Sequence, residues 1–425
     1  MRKLSTFTLV SLVGVLSPLL ALPVVTAEHG ARAWAAIAVG QAIGLTMGVL
    51  VELGWGLTGP QRVSRATRDS AREYLALATC TKALVFLPAS LLGGATAAAM
   101  TPADPALAAA SAIATASLGL TAAWYFIGRN DATALLLTEG CARIVLITAA
   151  SVWILNGGPA VVYPLVGILL PGILAPILAL WHQRVRWTYF SRQSWRRTRH
   201  TLLTQRGIVA ARILSAAYIA VPVPLTGLLS PTTVAAFAAG DRLSRMGLSV
   251  LASVPNSMQA WVGRSGASSR KRRVWLAIGL NASIGVVSGI AFLLLAPAVS
   301  SAVFSGAATL DVQYAAGFGL LVFIVCVSRG TGNLALVAFR MTRVVTLSAL
   351  LGVVLGVPSI VLLTSVFGGH GALMGVLISE SVVLAVQFVG VSWRTVRARS
   401  AANEQRCAPQ PTGPRLEQGR APEPN

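Results

Sequence analysis

Long apolar stretches separated by short polar loops run through most of the sequence. Each stretch holds about 20 residues or more with few charges, the length that an α-helix needs to cross a bilayer. The pattern predicts about twelve membrane-spanning helices, at residues 4–26, 34–57, 74–98, 106–127, 133–155, 161–181, 204–229, 233–259, 274–296, 312–337, 344–366 and 372–393. The fold class that follows is an all-α integral membrane protein.

The composition excludes a soluble protein. Of the 425 residues, 55% are hydrophobic and only 11% are charged, whereas soluble domains carry about 25% charged residues. The predicted helices also occupy most of the chain, and this leaves no room for a separate soluble catalytic domain.

The charge distribution predicts the orientation of these helices. The chain has 34 Lys and Arg against 13 Asp and Glu, a net charge of +21. Such an excess would suit nucleic-acid binding, but the basic residues lie in alternate loops, and the opposite set of loops contains only Arg32. Cytoplasmic loops of membrane proteins carry this excess of Lys and Arg. We therefore predict that both termini are cytoplasmic and that no nucleic acid is bound.

A long basic loop at 182–203 divides the predicted helices into two sets of six. The first half is 1–181 and the second half is 204–393. A tail at 394–425 is rich in Pro, Gln, Arg and Glu, and we expect it to be disordered in the cytoplasm.

Each half opens with a proline pair, Pro18 with Pro23 and Pro222 with Pro224. Helices interrupted at matching positions of two repeats are typical of transporters and lie beside the transport path. The sequence therefore predicts two six-helix halves around a central cavity.

The first apolar stretch has a second interpretation, as a cleavable signal peptide. Arg2 and Lys3 precede it, and Val25-Thr26-Ala27 resembles a cleavage site with small residues. The apolar region of a signal peptide is about 7 to 15 residues long, and the stretch at 4–25 is longer. Its length favours a retained helix, and the question of cleavage stays open.

Three glycines in the second predicted helix have a structural interpretation. Gly40, Gly44 and Gly48 are spaced by four residues and form a ridge of small residues on one helix face. Such ridges allow two helices to approach closely. We predict helix packing here, not a ligand site.

Charged residues inside the predicted helices are the candidates for function. An ionised side chain at the centre of a bilayer costs about 2.5 to 3.5 kcal/mol, so these groups must face protein, water or a ligand. The cations are Lys82, Arg143, Arg206, Arg212, Arg242, Arg245 and Arg329. The anions are Glu52, Glu139, Asp241 and Glu380.

Some of these charges can be neutralised locally. Glu139 with Arg143, and Asp241 with Arg245, are separated by four residues, the spacing of an ion pair along one helix. Two further charges lie near helix ends, from which a long side chain reaches the membrane surface. These two are Glu52 and Arg206.

The charges that remain are mostly positive. The cations left over are Lys82, Arg212, Arg242 and Arg329, opposed by Glu380. A surplus of cations around a cavity predicts an anionic substrate, above all a phosphate or diphosphate, because guanidinium groups match its oxygens. Asp241 and Glu380 are the candidates for a coupling proton or sodium ion, since buried carboxylates are common in ion-driven carriers.

Other chemistry is not indicated by the sequence. It contains no GxxxxGK[ST] motif for ATP hydrolysis, and its four cysteines show no CxxC or metal-ligand spacing. We expect no cofactor and no metal site.

Three short motifs resemble those of a known family. Glu52-Leu53-Gly54-Trp55-Gly56-Leu57-Thr58-Gly59-Pro60 resembles the D/E-L-G-x-G segment of polysaccharide flippases of the O-antigen and teichoic-acid type. Trp124-Tyr125-Phe126-Ile127-Gly128-Arg129 is similar to their aromatic-Gly turn, and Gly240-Asp241-Arg242-Leu243 to their A-[ADE]-R-[LI] segment. These flippases share a superfamily with the multidrug and toxin extrusion carriers and the peptidoglycan-precursor flippase.

The resemblance implies a carrier, not an enzyme, in the bacterial cytoplasmic membrane. Such a carrier would move a polyprenyl-diphosphate-linked oligosaccharide from the inner to the outer leaflet by alternating access, for the biosynthesis of lipopolysaccharide or another surface polysaccharide. Its partners would be membrane lipids and a polysaccharide polymerase or glycosyltransferases. Two alternatives stay open, an ion-coupled exporter of small molecules and an integral-membrane glycan enzyme.

Overall fold

A computed structural model gives the fold of the chain. It describes residues 17–186, 189, 209, 210, 212, 213, 216–252, 255, 258, 267–339 and 341–407. All regular structure in these residues is helical, and eight helices are long and apolar enough to cross a membrane. The predicted all-α membrane architecture is confirmed at this level. The count of twelve spans stays a prediction.

The helices of the described residues differ widely in length. In chain order they are α1 (Pro18–Glu52), α2 (Trp55–Arg65), α3 (Arg68–Met100), α4 (Pro105–Ala116), a 3-10 turn (Ser117–Leu120), α5 (Ala123–Arg129), α6 (Ala132–Leu135), a π-helix (Leu136–Cys141), α7 (Ala142–Leu155), α8 (Val162–Pro164), a π-helix (Leu165–Leu169), α9 (Leu170–His182), α10 (Pro222–Leu229), α11 (Val234–Leu251), α12 (Ala267–Val303), α13 (Val312–Ser328), a π-helix (Arg329–Leu336) and α14 (Thr342–Cys407).

Two of these helices are interrupted at a glycine. Gly30 in α1 has φ 72° and Gly368 in α14 has φ 57°, in the left-handed region that glycine adopts without a steric penalty. Both glycines fall in loops that the sequence predicted, between 4–26 and 34–57 and between 344–366 and 372–393. Helix α1 therefore contains parts of two predicted spans, and α14 contains two whole ones.

The two arms of α14 fold back on each other. Ser379 Oγ donates a hydrogen bond to Gly352 O at 2.9 Å. Closer to Gly368, a Cβ at Gly375 would meet the backbone of Ile360. Residues after Gly368 thus lie opposite residues before it, in reverse order, and this makes α14 an antiparallel helical hairpin.

The predicted glycine ridge packs one helix against another. A Cβ at Gly40 would collide with the carbonyl oxygen of Ala108, and one at Gly44 with that of Ala112. Both contacts are with α4, at the same spacing of four residues. The packing role predicted for the ridge is confirmed, because only a hydrogen at these positions allows the two backbones to come so close.

The two halves are packed together at the end that contains Gly30. Trp34 Nε1 in the first half donates to Ala235 O in the second half at 3.1 Å. The ring of Trp34 also packs on Phe304, with centroids 5.0 Å apart, and Ser305 Oγ donates to Pro23 O at 2.8 Å. Apolar residues of both halves surround these contacts in one buried cluster.

Two of the motifs that suggested a family resemblance lie against each other. A Cβ at Gly59 would collide with the ring of Trp124, and a Cβ at Gly128 would meet the backbone of Pro60 at 2.7 Å. Leu53 and Gly54 both have positive φ and turn the chain from α1 into α2. The glycines of these motifs therefore position α2 against α5.

The predicted connections are described in part. The basic loop at 182–203 is described only to residue 186 and at Tyr189, and the start of the first predicted span lies outside the described residues. Helix α14 continues to Cys407, so it ends later than the boundary predicted at 393. Residues 394–407 are rich in Arg and Ala and lack Gly and Pro, a composition that favours helix. The rest of the predicted tail lies outside the described residues.

Candidate functional site

A cavity of about 250 Å³ lies between the two halves. We call it the central cavity. The first half contributes Gln41, Arg143 and Tyr163 to its wall, and the second half contributes residues of α11. The remaining wall is largely apolar, with side chains such as Leu45.

Three arginines and one carboxylate face the central cavity. They are Arg143, Arg242, Arg245 and Asp241. Arg245 Nε donates to Asp241 Oδ2 at 2.6 Å, so the ion pair predicted from their spacing is present. Arg143 and Arg242 form no ion pair with any described residue, and Arg242 Nε is buried without a hydrogen-bond partner among them. The cavity therefore has two guanidinium groups available for an anion.

Helix α11 supplies most of this charge. Asp241, Arg242 and Arg245 lie within about one helical turn, just after the contact of Gly240 with the ring of Phe318. Arg245 is further held by a bond from its Nη2 to Ile219 O, at 2.8 Å. The close approach at Gly240 packs this charged turn against α13 of the same half.

Glu139 and Arg143 are both described, and they do not form the predicted ion pair. Glu139 lies in the π-helix Leu136–Cys141, and a π-helical turn shifts the faces that a spacing of four residues would align in an α-helix. Its carboxylate instead accepts hydrogen bonds from Thr121 Oγ1, at 2.6 and 2.8 Å, and from Ala122 N, at 2.9 Å. Arg143 is left to face the central cavity.

Lys82 does not line the central cavity. It is 1% exposed, and its Nζ donates to Thr121 O at 2.9 Å and lies 5.8 Å from the centroid of the Trp124 ring. Thr121 and Ala122 interrupt the helical path between Leu120 and Ala123. Lys82 and Glu139 therefore bind the free carbonyl and the free amide of this interruption, and their charges match the dipoles of the helix ends.

Arg212 and Arg329 are also engaged. Arg212 Nη1 lies 2.6 Å from Glu52 Oε2, in an ion pair between the second half and the first. Glu52 thus forms a specific ion pair within the protein. Arg329 Nη1 donates to Leu248 O at 2.6 Å. Arg206 lies outside the described residues.

A second cavity, of about 340 Å³, lies within the second half. We call it the inner cavity of the second half. Its charged lining residues are Asp241, Arg245, Arg329 and Glu380, and Tyr218 adds a hydroxyl group. The charges in this cavity are balanced, in contrast to those of the central cavity. Asp241 and Arg245 line both cavities.

The cations that line the central cavity are not the four that the sequence predicted to bind the substrate. Of the four predicted substrate-binding residues, Arg242 alone lies in the central cavity, with Arg143 and Arg245 beside it. Sequence reasoning set Arg143 and Arg245 aside because each has a carboxylate four residues away. The two predicted ion-coupling residues, Asp241 and Glu380, do line one cavity together.

Solved structures of transporters share this arrangement of helices. An inward-facing multidrug resistance MATE family transporter of the MOP superfamily matches with a TM-score of 0.64 and 15% identity, over 96% of this chain and 99% of that chain. Lipid II flippase MurJ, in an inward closed conformation, matches with a TM-score of 0.60 and 10% identity, over 92% and 87%. An outward-facing MATE family transporter of the same superfamily gives 0.50 and 14%, over 94% and 96%.

The chain has the fold of these transporters. At such low identities the likeness establishes the fold alone. No protein-family model matches the sequence, and no curated protein matches it either. The similar structures named above are all structures of transporters.

Proposed function

We propose that this protein is a carrier that flips a polyprenyl-diphosphate-linked oligosaccharide from the inner to the outer leaflet of the bacterial cytoplasmic membrane. It would have twelve spans in two halves, with both termini in the cytoplasm, and would work by alternating access. The observation that carries the proposal is the surplus of guanidinium groups in the central cavity, where Arg143 and Arg242 have no carboxylate partner among the described residues.

The chemistry of these groups suits a diphosphate. Arginine presents a planar fork of donors that binds two phosphate oxygens at once. Arg143 comes from the first half and Arg242 from the second, so one diphosphate between them would contact both halves. A ligand that contacts both halves is the kind that alternating access requires, because its binding depends on how the halves are arranged.

The size of the cavity limits what it holds in this conformation. Its volume of about 250 Å³ is near the lower end for ligand pockets, which measure about 300 to 1,000 Å³. A diphosphate with one sugar fits such a space, and a longer glycan needs the halves to separate. The lipid tail would stay in the bilayer.

A transport assay tests the proposal. Purified protein is reconstituted in vesicles with a fluorescent prenyl-diphosphate sugar, and flipping is followed by quenching of the label in the outer leaflet. We expect R143Q and R242Q each to reduce the rate at least tenfold, and the double variant to abolish flipping. Arg272, which is exposed at the start of α12, gives the matched control R272Q, with an unchanged rate. Wild-type flipping in R143Q/R242Q would contradict the proposed role of the two arginines.

A second candidate function is the export of small molecules. The match to a multidrug resistance transporter, at a TM-score of 0.64, supports it as well as the match to MurJ supports the flippase. The inner cavity of the second half is large enough for a small ligand, and Glu380 gives it a carboxylate for a cation. In that case vesicles loaded with a cationic dye would lose it under an ion gradient, and E380Q would stop the loss, with no flipping of the prenyl-diphosphate sugar.

The remaining alternative is an integral-membrane glycan enzyme. It predicts turnover of the lipid-linked sugar in detergent micelles, where no leaflets exist. A carrier leaves the sugar chemically unchanged there, so a single chromatographic comparison separates the two.

A further inference from the structure

The ion pair between Asp241 and Arg245 forms part of the wall of both cavities. Both residues line the central cavity and also the inner cavity of the second half. Their side chains are 16% and 40% exposed. A ligand in either cavity can therefore reach one member of the pair.

Arg245 differs from the other two arginines of the central cavity because it is tied to a carboxylate. Its Nε donates to Asp241 at 2.6 Å, and its Nη2 donates to Ile219 O at 2.8 Å. Its Nη1 makes no hydrogen bond to a described residue. The guanidinium group can thus turn toward an anion held by Arg143 and Arg242 while its hydrogen bond to Ile219 O is kept. Only its hydrogen bond to Asp241 is then lost.

That loss has a consequence for Asp241. An ionised carboxylate left without its partner inside a membrane protein is strongly unfavourable. A cation that reaches Asp241 through the inner cavity of the second half would remove the penalty. The charged or titratable groups around the pair are Arg143, Tyr163, Arg242, Tyr218, Arg329 and Glu380.

We propose that Arg245 exchanges partners during transport. It binds Asp241 when the central cavity is empty, and it binds the phosphate oxygens when the substrate is present, with a proton or a monovalent cation then taking its place on Asp241. This inference rests on the proposed function, since it needs an anionic substrate. Anion and cation binding then favour each other by the same factor, because linkage is reciprocal.

The test uses the full-length protein in detergent, with inorganic pyrophosphate as the probe. Calorimetric titrations in buffers of different ionisation enthalpy measure proton uptake on binding. Parallel titrations at increasing sodium concentration, with choline chloride holding ionic strength constant, measure sodium uptake. We expect close to one cation to be taken up per pyrophosphate, and the two arms show whether it is a proton or sodium.

The variant D241N keeps the shape of the side chain and removes its charge. Arg245 is then free for the anion without competition, so pyrophosphate affinity should rise several-fold, and cation uptake should disappear. Arg272 is exposed and lines neither cavity, so R272Q is the control and should keep the uptake. Weaker binding by D241N, or uptake that persists in it, would overturn the proposal.

The outcomes also separate this inference from the proposed function. Flipping of the prenyl-diphosphate sugar with no cation uptake, or with no pyrophosphate binding, would overturn the exchange alone. If cation uptake is as expected but the lipid-linked sugar is not flipped, the proposed flippase function is wrong. The partner exchange of Arg245 would then still hold, for another anionic substrate.

Discussion

The ion pair between Arg212 and Glu52 is expected to hold the two halves together at one end of the central cavity. Leu45 lines the cavity and precedes Glu52 by seven residues in α1, which at 1.5 Å per residue is about 10 Å along the helix. The contacts around Trp34 join the halves at the opposite end of the same helix arm. In the proposed carrier, alternating access opens the two ends in turn, so this ion pair would break in one of the states.

The strength of the pair follows from its partial burial. Arg212 Nη1 and Glu52 Oε2 are 2.6 Å apart, and the side chains are 33% and 16% exposed. Exposed pairs contribute about 0.2 to 1 kcal/mol, and loss of one partner of a buried pair costs about 3 to 5 kcal/mol. For this intermediate case we expect about 1 to 2 kcal/mol, which changes the ratio of the two states by about 5- to 30-fold.

A cysteine in the cavity reports the opening. Ala42 lines the central cavity and is replaced by cysteine in a chain whose native cysteines are changed to serine. E52Q and R212Q should each raise its reaction rate with a membrane-impermeant thiol reagent, added from the side of the arginine-rich loops, by about 5- to 30-fold. The effects of the two variants should not add, because both remove the same pair.

Two further variants complete the experiment. The exchanged pair E52R/R212E should restore the slow rate, because it returns opposite charges to the same two positions. Asp69 and Arg72 form an exposed pair within one helix, so D69N is the control and should leave the rate unchanged. Equal reactivity in wild type and E52Q, or strict additivity of the two single variants, would contradict the proposed role of the ion pair between Arg212 and Glu52.

Three more predictions concern stability, and thermal unfolding in detergent measures each of them. Gly44→Val should lower stability by about 1 to 3 kcal/mol through overpacking against α4. Gly279 faces open space, so Gly279→Ala should cause no such loss. Equal losses in the two variants would contradict the packing role of the glycine ridge. Lys82→Met should cost about 1 to 3 kcal/mol by leaving Thr121 O unpaired and leave pyrophosphate affinity near the wild-type value; a large fall in affinity would assign Lys82 to the substrate. Gly368→Ala should cost about 1 to 2 kcal/mol because of its positive φ, and an unchanged melting temperature would contradict the tight turn.

The sequence by itself determined the features that depend on short stretches of chain. Hydropathy and helix length set the all-α membrane fold, because each span must satisfy its own backbone in lipid. Spacing along one helix identified the ridge of Gly40 and Gly44 and the pair of Asp241 with Arg245. The breaks at Gly30 and Gly368 fell in predicted loops for the same local reason.

Only the tertiary structure decided where the other charges point. The partner of Arg212 is Glu52, 160 residues away in the chain, and Lys82 binds a backbone carbonyl exposed by an interruption that hydropathy does not show. Glu139 turns away from Arg143 because a π-helix shifts the faces of its helix. Charge interactions act through space between helices whose arrangement no local pattern specifies. For this reason the composition predicted a cationic cavity, and the fold selected Arg143, Arg242 and Arg245 to line it.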